Sequence, residues 1–141
     1  MSTKTDHYQL NQWEPSDPFL RTDFNEDNAK LDAALTALAG RNELVIGTYT
    51  GNGAANRNID LGFTPKAVIV CDSSGLTRNS SAAWGGVALP DIPATYTYSS
   101  NTVPVVSLTD NGFTVYYKSF GGTNWVGSNG SGTTLIYFAL R

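Results

Sequence analysis

The sequence predicts a mainly β protein, in which an extended N-terminal arm and a short coiled-coil helix precede an antiparallel β-sandwich. Two observations lead to this fold class. The composition changes near Gly40, from an acidic segment with Ala and Leu at helical spacing to a segment rich in Gly, Ser, Thr, Asn, Val and Tyr. Beyond that point, short apolar runs alternate with turn residues, which is typical of an all-β domain. We therefore expect an arm over residues 1–21, a helix over residues 22–40 and a β-sandwich over residues 41–141.

The arm contains two prolines within residues 8–21, YQLNQWEPSDPFLR, and this favours extended chain over helix. It also carries a large apolar surface, formed by Tyr8, Leu10, Trp13, Phe19 and Leu20. Apolar surface of this extent needs a partner. Either the arm folds back on its own chain, or it docks onto a neighbouring subunit or another protein of an assembly, and we favour docking.

The helix is expected to begin at Asp23, with Glu26 three residues later, or with Thr22 as the alternative N-cap. Gly40 is well placed to end it. The apolar residues form a narrow seam of period 3.5, with d positions at Phe24, Leu31 and Leu38 and a positions at Asn28 and Leu35. Two heptads are too short for an isolated coiled coil. The helix either self-associates with help from the β-domain or lies on that domain, and the narrow seam favours self-association.

Seven strands are predicted after residue 43, at residues 44–50, 57–61, 67–71, 84–89, 103–108, 113–120 and 133–140. Asp110-Asn111-Gly112 is a strong hairpin turn between the fifth and sixth strands. We expect both faces of the 67–71 strand to be covered. The last strand is apolar on both faces, which suggests one face in the core and the other at a subunit interface.

Catalytic chemistry is not expected. The only histidine, His7, lies in the arm, the acidic residues of the β-domain are spread singly, and the one cysteine, Cys71, lies in an apolar run and is expected to be buried. We therefore predict no enzyme, no metal site and no cofactor.

The charge distribution argues against a nucleic-acid partner. The net charge is −3 and the pI is near 4.9, and the acidity is concentrated in residues 1–40, with three basic and seven acidic side chains. No window approaches the roughly 20 apolar residues of a membrane span, and no apolar signal begins the sequence. We expect synthesis in the cytoplasm, no membrane insertion, and delivery outside the cell by a route other than secretion.

A binding role is better supported, because aromatic residues lie in or beside segments rich in Gly, Ser and Asn. The candidate ligand-binding residues are Trp84, Tyr96, Tyr98, Asn124 and Trp125. Ser128 and Asn129 are further candidates for polar contacts. Aromatic faces framed by short polar side chains suit sugars and varied surfaces. The alternative is that the aromatic rings close the ends of the sandwich.

Two stretches resemble a known family. The pattern YQLNQWEPSDPFLRTDFNEDNAKLDAAL (residues 8–35) resembles the N-terminal motif of tail-associated proteins from phages and prophages of Gram-positive bacteria. The runs IDLGFTPKAVIV (59–70), TVYYK (114–118) and LIYFALR (135–141) resemble the β-sandwich tips of tail fibres, which are similar to trimeric H-type-lectin-like sandwiches.

This resemblance implies a homotrimer bound to a particle, whose tip loops contact a host surface component, often a polysaccharide. The implied attachment residues are Tyr8, Leu10, Trp13 and residues 17–24. The expected function is therefore that of a non-catalytic tail-fibre or receptor-binding protein in a virion tail or phage-like particle. Its expected partners are two further copies of itself, a tail or baseplate protein, and a bacterial cell-surface polysaccharide. The alternative is a structural tail or baseplate assembly protein without a receptor of its own.

Overall fold

The computed structural model describes residues 3–141 and divides the chain into two compact units, one ending at Arg41 and the other spanning Asn42–Arg141. The protein is mainly β, with antiparallel sheets, and the described residues include one α-helix. That helix is not long and apolar enough to cross a membrane.

The first unit consists of strands β1 (Thr3–Lys4) and β2 (Asn11–Gln12) and helix α1 (Arg21–Ala39). The two short strands pair with each other, and residues 8–20 contain no helix, as the two prolines predict. The predicted N-caps at Asp23 and Thr22 are wrong. The helix begins at Arg21 after Leu20, whose side chain makes no capping hydrogen bond, and Asp23 lies in the first turn, where its charge suits the helix dipole.

Asn11 ties the β1–β2 pair to the helix within this unit. Its backbone N–H donates to Asp27 Oδ2 at 2.9 Å, and its side-chain amide donates to Asp27 Oδ1 at 3.1 Å. The Asp27 side chain is buried, with the residue 8 % exposed, and Lys30 lies 3.6 Å from its carboxylate. Burial by itself raises the pKa of Asp27, but the hydrogen bonds from Asn11 and the nearby ammonium groups of Lys30 and Lys4 outweigh it. The pKa of this carboxyl therefore lies below its ordinary value of 3.8.

Acidification is expected to release this link. A carboxyl whose pKa is lower in the folded state stabilises that state above its ordinary pKa, and the stabilisation is lost as the pH falls through the lowered value. Protection of the Asn11 amide against hydrogen exchange, corrected for the intrinsic rate, should therefore be high at pH 6 and fall below about pH 4. In Asp27→Asn, which has no carboxyl to titrate, this pH-dependent fall should disappear. A fall of equal size in that variant would contradict the assignment.

The second unit contains ten strands in two sheets. They are β3 (Leu44–Thr50), β4 (Asn56–Asp60), β5 (Ala67–Asp72), β6 (Ala82–Ala83), β7 (Gly86–Ala88), β8 (Ala94–Tyr98), β9 (Asn101–Thr109), β10 (Gly112–Ser119), β11 (Trp125–Gly127) and β12 (Thr134–Leu140). One sheet has the order β3-β12-β5-β7. The other has the order β6-β11-β10-β9-β8, with β4 also paired to β10. All pairs are antiparallel except β6 with β11.

Side chains from both sheets meet in one apolar core, which gives a β-sandwich-like arrangement. Phe113 of β10 lies at its centre and is fully buried. Its ring centroid lies 6.0 Å from that of Tyr49 in β3 and 5.3 Å from that of Tyr137 in β12. Val68 and Val70 of β5 are fully buried in the same core. The alternation of side chains along each strand therefore determines which residues form the core.

Most predicted strands are present, with ends shifted by one or two residues. The β9–β10 hairpin turns at Asp110 and Asn111, as predicted. The predicted strand over residues 84–89 is present as the shorter β7, which begins two residues later, at Gly86. Strands β6, β8 and β11 lie outside all of the predicted strands.

The outer face of the four-stranded sheet carries apolar side chains in every strand. Across the sheet, Ile46 is paired with Phe138, Phe138 with Ile69, and Ile69 with Val87. Ile46 is 60 % exposed and Ile69 is 41 % exposed, so the expectation that both faces of the 67–71 strand are covered is not met within one chain. Cys71, by contrast, is buried as predicted, and burial raises the pKa of its thiol.

The outer face of the other sheet is polar. Thr114 points away from the core between the buried Phe113 and Val115, and it is paired with Asn58 on one side and Ser107 on the other. A polar outer face is usual for an antiparallel sheet in contact with water. The apolar face of the four-stranded sheet departs from that pattern.

Candidate functional site

Two of the predicted ligand-binding residues, Trp84 and Trp125, line one pocket of about 350 Å³ in the second unit. Tyr117 forms a third aromatic wall, and Ser131 and Thr133 place hydroxyl groups at its edge. The remaining lining comes from glycines, namely Gly53, Gly127 and Gly130.

Both indole rings lie close to Gly127. A methyl group added at Gly127 would lie 3.3 Å from Nε1 of Trp125 and 3.4 Å from Cδ1 of Trp84. Trp125 is 39 % exposed, and Trp84 is half-buried. The pocket therefore presents aromatic surface to solvent above a floor that carries no side chain.

Pairing of short strands holds the two tryptophans in place. Trp125 begins β11, which pairs with β10 through Ser119 and with β6 through Ala82. The backbone N–H of Trp125 donates to Ser81 O at 3.1 Å, and the backbone N–H of Trp84 donates to Thr77 O at 2.8 Å. The backbone beneath both rings is therefore fixed by hydrogen bonds.

Ser128 and Asn129, which the sequence suggested as polar ligand contacts, are fully buried. That suggestion is wrong. The Ser128 hydroxyl accepts a hydrogen bond from Tyr116 N–H at 2.8 Å and lies 2.5 Å from Val105 O, so it joins β9 to β10. The Asn129 amide donates to Ala54 O at 2.8 Å and to Asn52 Oδ1 at 2.7 Å. Both residues therefore have a structural role, in the segment that follows Gly127.

Tyr96, Tyr98 and Asn124 form a separate cluster around Phe120. The ring centroids of Tyr96 and Tyr98 lie 6.0 Å and 5.4 Å from that of Phe120. Tyr96 is only 4 % exposed and its hydroxyl points to Asn124 Oδ1 at 3.5 Å, so its ring belongs to the core. Tyr98 and Asn124 are half-buried beside it.

Tyr117, Ser131 and Thr133 were not predicted as site residues. The sequence does indicate Tyr117, because it follows Phe113 and Val115 at alternate positions of one strand. Since it lies near the end of that strand, it extends beyond the core. It is 38 % exposed, whereas Phe113 and Val115 are fully buried. Ser131 and Thr133 lie in a Gly/Ser-rich loop whose course depends on the closed sandwich, and no local pattern indicates them.

The pocket is electrically neutral, since no charged side chain of the described chain lines it. Nor do the described residues contain a group of three His, Cys, Asp or Glu side chains arranged to hold a metal ion. The arrangement suits recognition by ring stacking and hydrogen bonding between neutral groups.

In the first unit, the predicted seam residues are exposed along the helix. Leu31, Leu35 and Leu38 line a groove of about 310 Å³ with Tyr8 of the arm, and Asn28 is exposed beside them. Phe24, also assigned to the seam, is 41 % exposed.

The arm packs an aromatic cluster onto Phe24. The Trp13 ring lies 5.1 Å from that of Phe19 and is stacked at 5.4 Å on that of Phe24. Tyr8, Phe19 and Leu20 of the predicted attachment surface are exposed, and Leu10 is half-buried. Within the described residues, no acceptor lies within hydrogen-bond distance of the buried Nε1 of Trp13.

The sequence matches no protein-family model, and neither a curated protein nor a solved structure matches it. The function proposed below therefore rests on the motifs of the sequence and on the surfaces just described.

Proposed function

We propose that this chain is a homotrimeric tail-fibre or receptor-binding protein of a bacteriophage or phage-like particle, which adheres to a bacterial surface glycan and catalyses no reaction. The observation that carries the proposal is the pocket in which Trp84 and Trp125 lie close to Gly127. Flat aromatic faces provide a large contact area at low entropic cost, and the hydroxyls of Ser131 and Thr133 supply hydrogen bonds beside them. Tyr98 and Asn124 form a second, more peripheral part of the proposed binding surface.

The helix supplies one of two proposed surfaces for self-association. Its exposed leucines, Leu31, Leu35 and Leu38, occupy a and d positions, where a coiled coil buries side chains between chains. The groove beside them is apolar, and the same row on a neighbouring copy has the complementary spacing. Asn28 is the polar residue of the seam, of the kind that sets register.

The apolar face of the four-stranded sheet supplies the second surface. Ile46, Ile69 and Val87 are exposed together with Leu44 on one sheet face. In the proposal, the corresponding faces of two further copies cover these side chains. Burial would stabilise the assembly by about 25 cal/mol for each Å² of apolar surface removed from water.

The arm is the proposed attachment to the tail or baseplate. Phe19, Leu20 and Tyr8 expose apolar surface although the arm is folded against its helix. A docking protein that supplied an acceptor to Trp13 Nε1 would also complete the hydrogen bonding of that group. The proposed protein is made in the bacterial cytoplasm and acts outside the cell as part of the particle.

The test of adhesion is binding of fluorescently labelled full-length protein to a panel of Gram-positive bacteria, with purified surface polysaccharide as competitor. Saturable binding to some strains, competed by the polysaccharide, is expected. Trp125→Ala should weaken this binding at least tenfold while leaving the melting temperature within a few degrees, because the ring is exposed.

Leu76→Ala is the matched control, because Leu76 is an exposed large side chain of the same unit that does not line the pocket. It should bind cells like the unaltered protein. If Trp125→Ala instead causes a large thermal loss, the ring is structural and the assigned site is wrong.

A structural tail or baseplate protein is the second candidate, and the exposed apolar surfaces of the arm, helix and sheet favour it equally. It requires no ligand in the pocket. A folded trimer that binds no strain in the panel would support this candidate over adhesion.

A further inference from the structure

We propose that the pocket binds an uncharged pyranose unit of the surface glycan, and that Gly127 is the residue that determines whether a sugar ring can enter. This inference rests on the proposed adhesive function and names the chemical class of its ligand. It depends on the charge of the lining, on the placement of the polar groups and on the reason for glycine at position 127.

The lining lacks the charged side chains that favour an anionic ligand. Phosphate and carboxylate groups are most strongly bound by Arg or Lys side chains, or at a helix N-terminus. None of the lining residues is charged, and the pocket lies among strands and loops of the second unit. Lys118, the basic residue nearest along the chain to Tyr117, is placed over the ring of Phe120 at 5.4 Å from its centroid.

The remaining chemistry suits a sugar ring. A pocket of about 350 Å³ lies at the small end of the range for small-molecule sites, roughly 300–1,000 Å³. It therefore suits one or two rings of a chain rather than an extended segment. Indole faces contact the C–H groups of a pyranose, and the hydroxyls of Ser131 and Thr133 both donate and accept hydrogen bonds, as sugar hydroxyls do.

The backbone conformation at position 127 does not require glycine. Gly53 has φ of +75°, in the region that favours glycine, whereas Gly127 is not among the residues with positive φ. Gly127 ends strand β11, and glycine weakens a strand unless something approaches its backbone closely. The nearest groups to a methyl at this position are the two indoles. A side chain at this position would therefore press against both indole rings and change the shape of the pocket that they line.

The experiment starts from a strain that the full-length protein binds. Its surface polysaccharide is separated by anion exchange into neutral and anionic fractions, and each fraction competes for cell binding. The neutral fraction is expected to compete. It should also change the fluorescence of Trp84 and Trp125 in a Trp13→Phe variant, which removes the one tryptophan outside the pocket.

Gly127→Ala should reduce affinity for the neutral fraction at least tenfold. Gly40→Ala is the matched control, because it adds the same methyl in ordinary contact, 3.6 Å from Thr36 O in the first unit, and should bind normally. Thr133→Val keeps the shape of the side chain and removes its hydroxyl. It should lower affinity roughly three- to tenfold, so the proposal stays testable if Gly127→Ala fails to fold.

Three results would overturn the inference. Competition by the anionic fraction alone would show an anionic ligand and leave adhesion itself intact. Competition by the neutral fraction with unchanged affinity in both Gly127→Ala and Thr133→Val would place the neutral ligand elsewhere, again leaving adhesion intact. A folded trimer that binds no strain would remove the proposed function and this inference with it.

Discussion

Replacing Phe113 by alanine is expected to lower the free energy of unfolding of the Asn42–Arg141 unit by about 3–5 kcal/mol. The ring is fully buried and touches aromatic residues of the opposite sheet at Tyr49 and Tyr137. Its removal deletes apolar contacts and leaves a cavity where the two sheets meet, and a close-packed core fills such a cavity only in part. Thermal or urea unfolding of the full-length protein, followed by circular dichroism, measures the effect.

Tyr117→Ala is the control for this prediction, because it truncates an aromatic ring in the same strand at a position that is 38 % exposed. It should cost about 1 kcal/mol or less. If both variants lose stability equally, Phe113 does not occupy the centre of the core. The contrast thus tests the two-sheet arrangement itself rather than the general cost of removing an aromatic side chain.

The core was predictable because side chains alternate between the two faces of a strand, so the sequence of each strand shows which residues face inward. Phe113 and Val115 alternate with Thr114, and the Asp110-Asn111-Gly112 turn fixes where that strand begins. Strand β8 also alternates, as Ala-Thr-Tyr-Thr-Tyr, but the prolines before it and the serines after it gave the segment the composition of a loop. Strand β11 has three residues, which is too few for any periodic signal.

The site was predictable only in part, because its members meet through the closure of the sandwich. The exposed aromatic character of Trp84 and Trp125 was visible in the sequence. Their common contact with Gly127 was not, since it depends on the pairing of β6 with β11. Tyr96 lies in a similarly polar segment, yet its burial separates it from the site. Composition identifies candidate residues of this kind, but it does not distinguish a core ring from a surface ring.

The hydrogen bonds between Asn11 and Asp27 show a second limit of prediction from the sequence. Asn11 lies in the stretch predicted to be extended, and no pattern in the sequence pairs it with Asp27. In the structure, the buried carboxylate accepts two hydrogen bonds from Asn11. A side chain–backbone bond across 16 residues leaves no periodic pattern, although both residues lie within the motif that carries the family resemblance.

If the proposed homotrimer forms, introducing a carboxylate into the apolar face of the four-stranded sheet is expected to convert it into monomers. In Ile46→Asp, the new carboxylate would lie beside Phe138 in the sheet. Burying it against another copy would raise the free energy of the assembly by several kcal/mol for each charge. Ile46 is 60 % exposed in the single chain, so the altered chain should still fold. Size-exclusion chromatography with light scattering should give 15.1 kDa, the mass of one chain, for this variant, and the proposal expects three times that mass for the unaltered protein.

Asn58→Asp is the control, because it places a carboxylate on the polar outer face of the other sheet and should remain trimeric. The helix seam is tested by the same measurement with Leu31→Asp, which should also give monomers, since a d position buries its side chain between the helices. A trimer that survives Ile46→Asp would remove the sheet face from the proposed interface, and one that survives Leu31→Asp would remove the seam. If the unaltered protein is itself a monomer, both surfaces need another partner, and the apolar sheet face then becomes the place to look for a tail or baseplate protein.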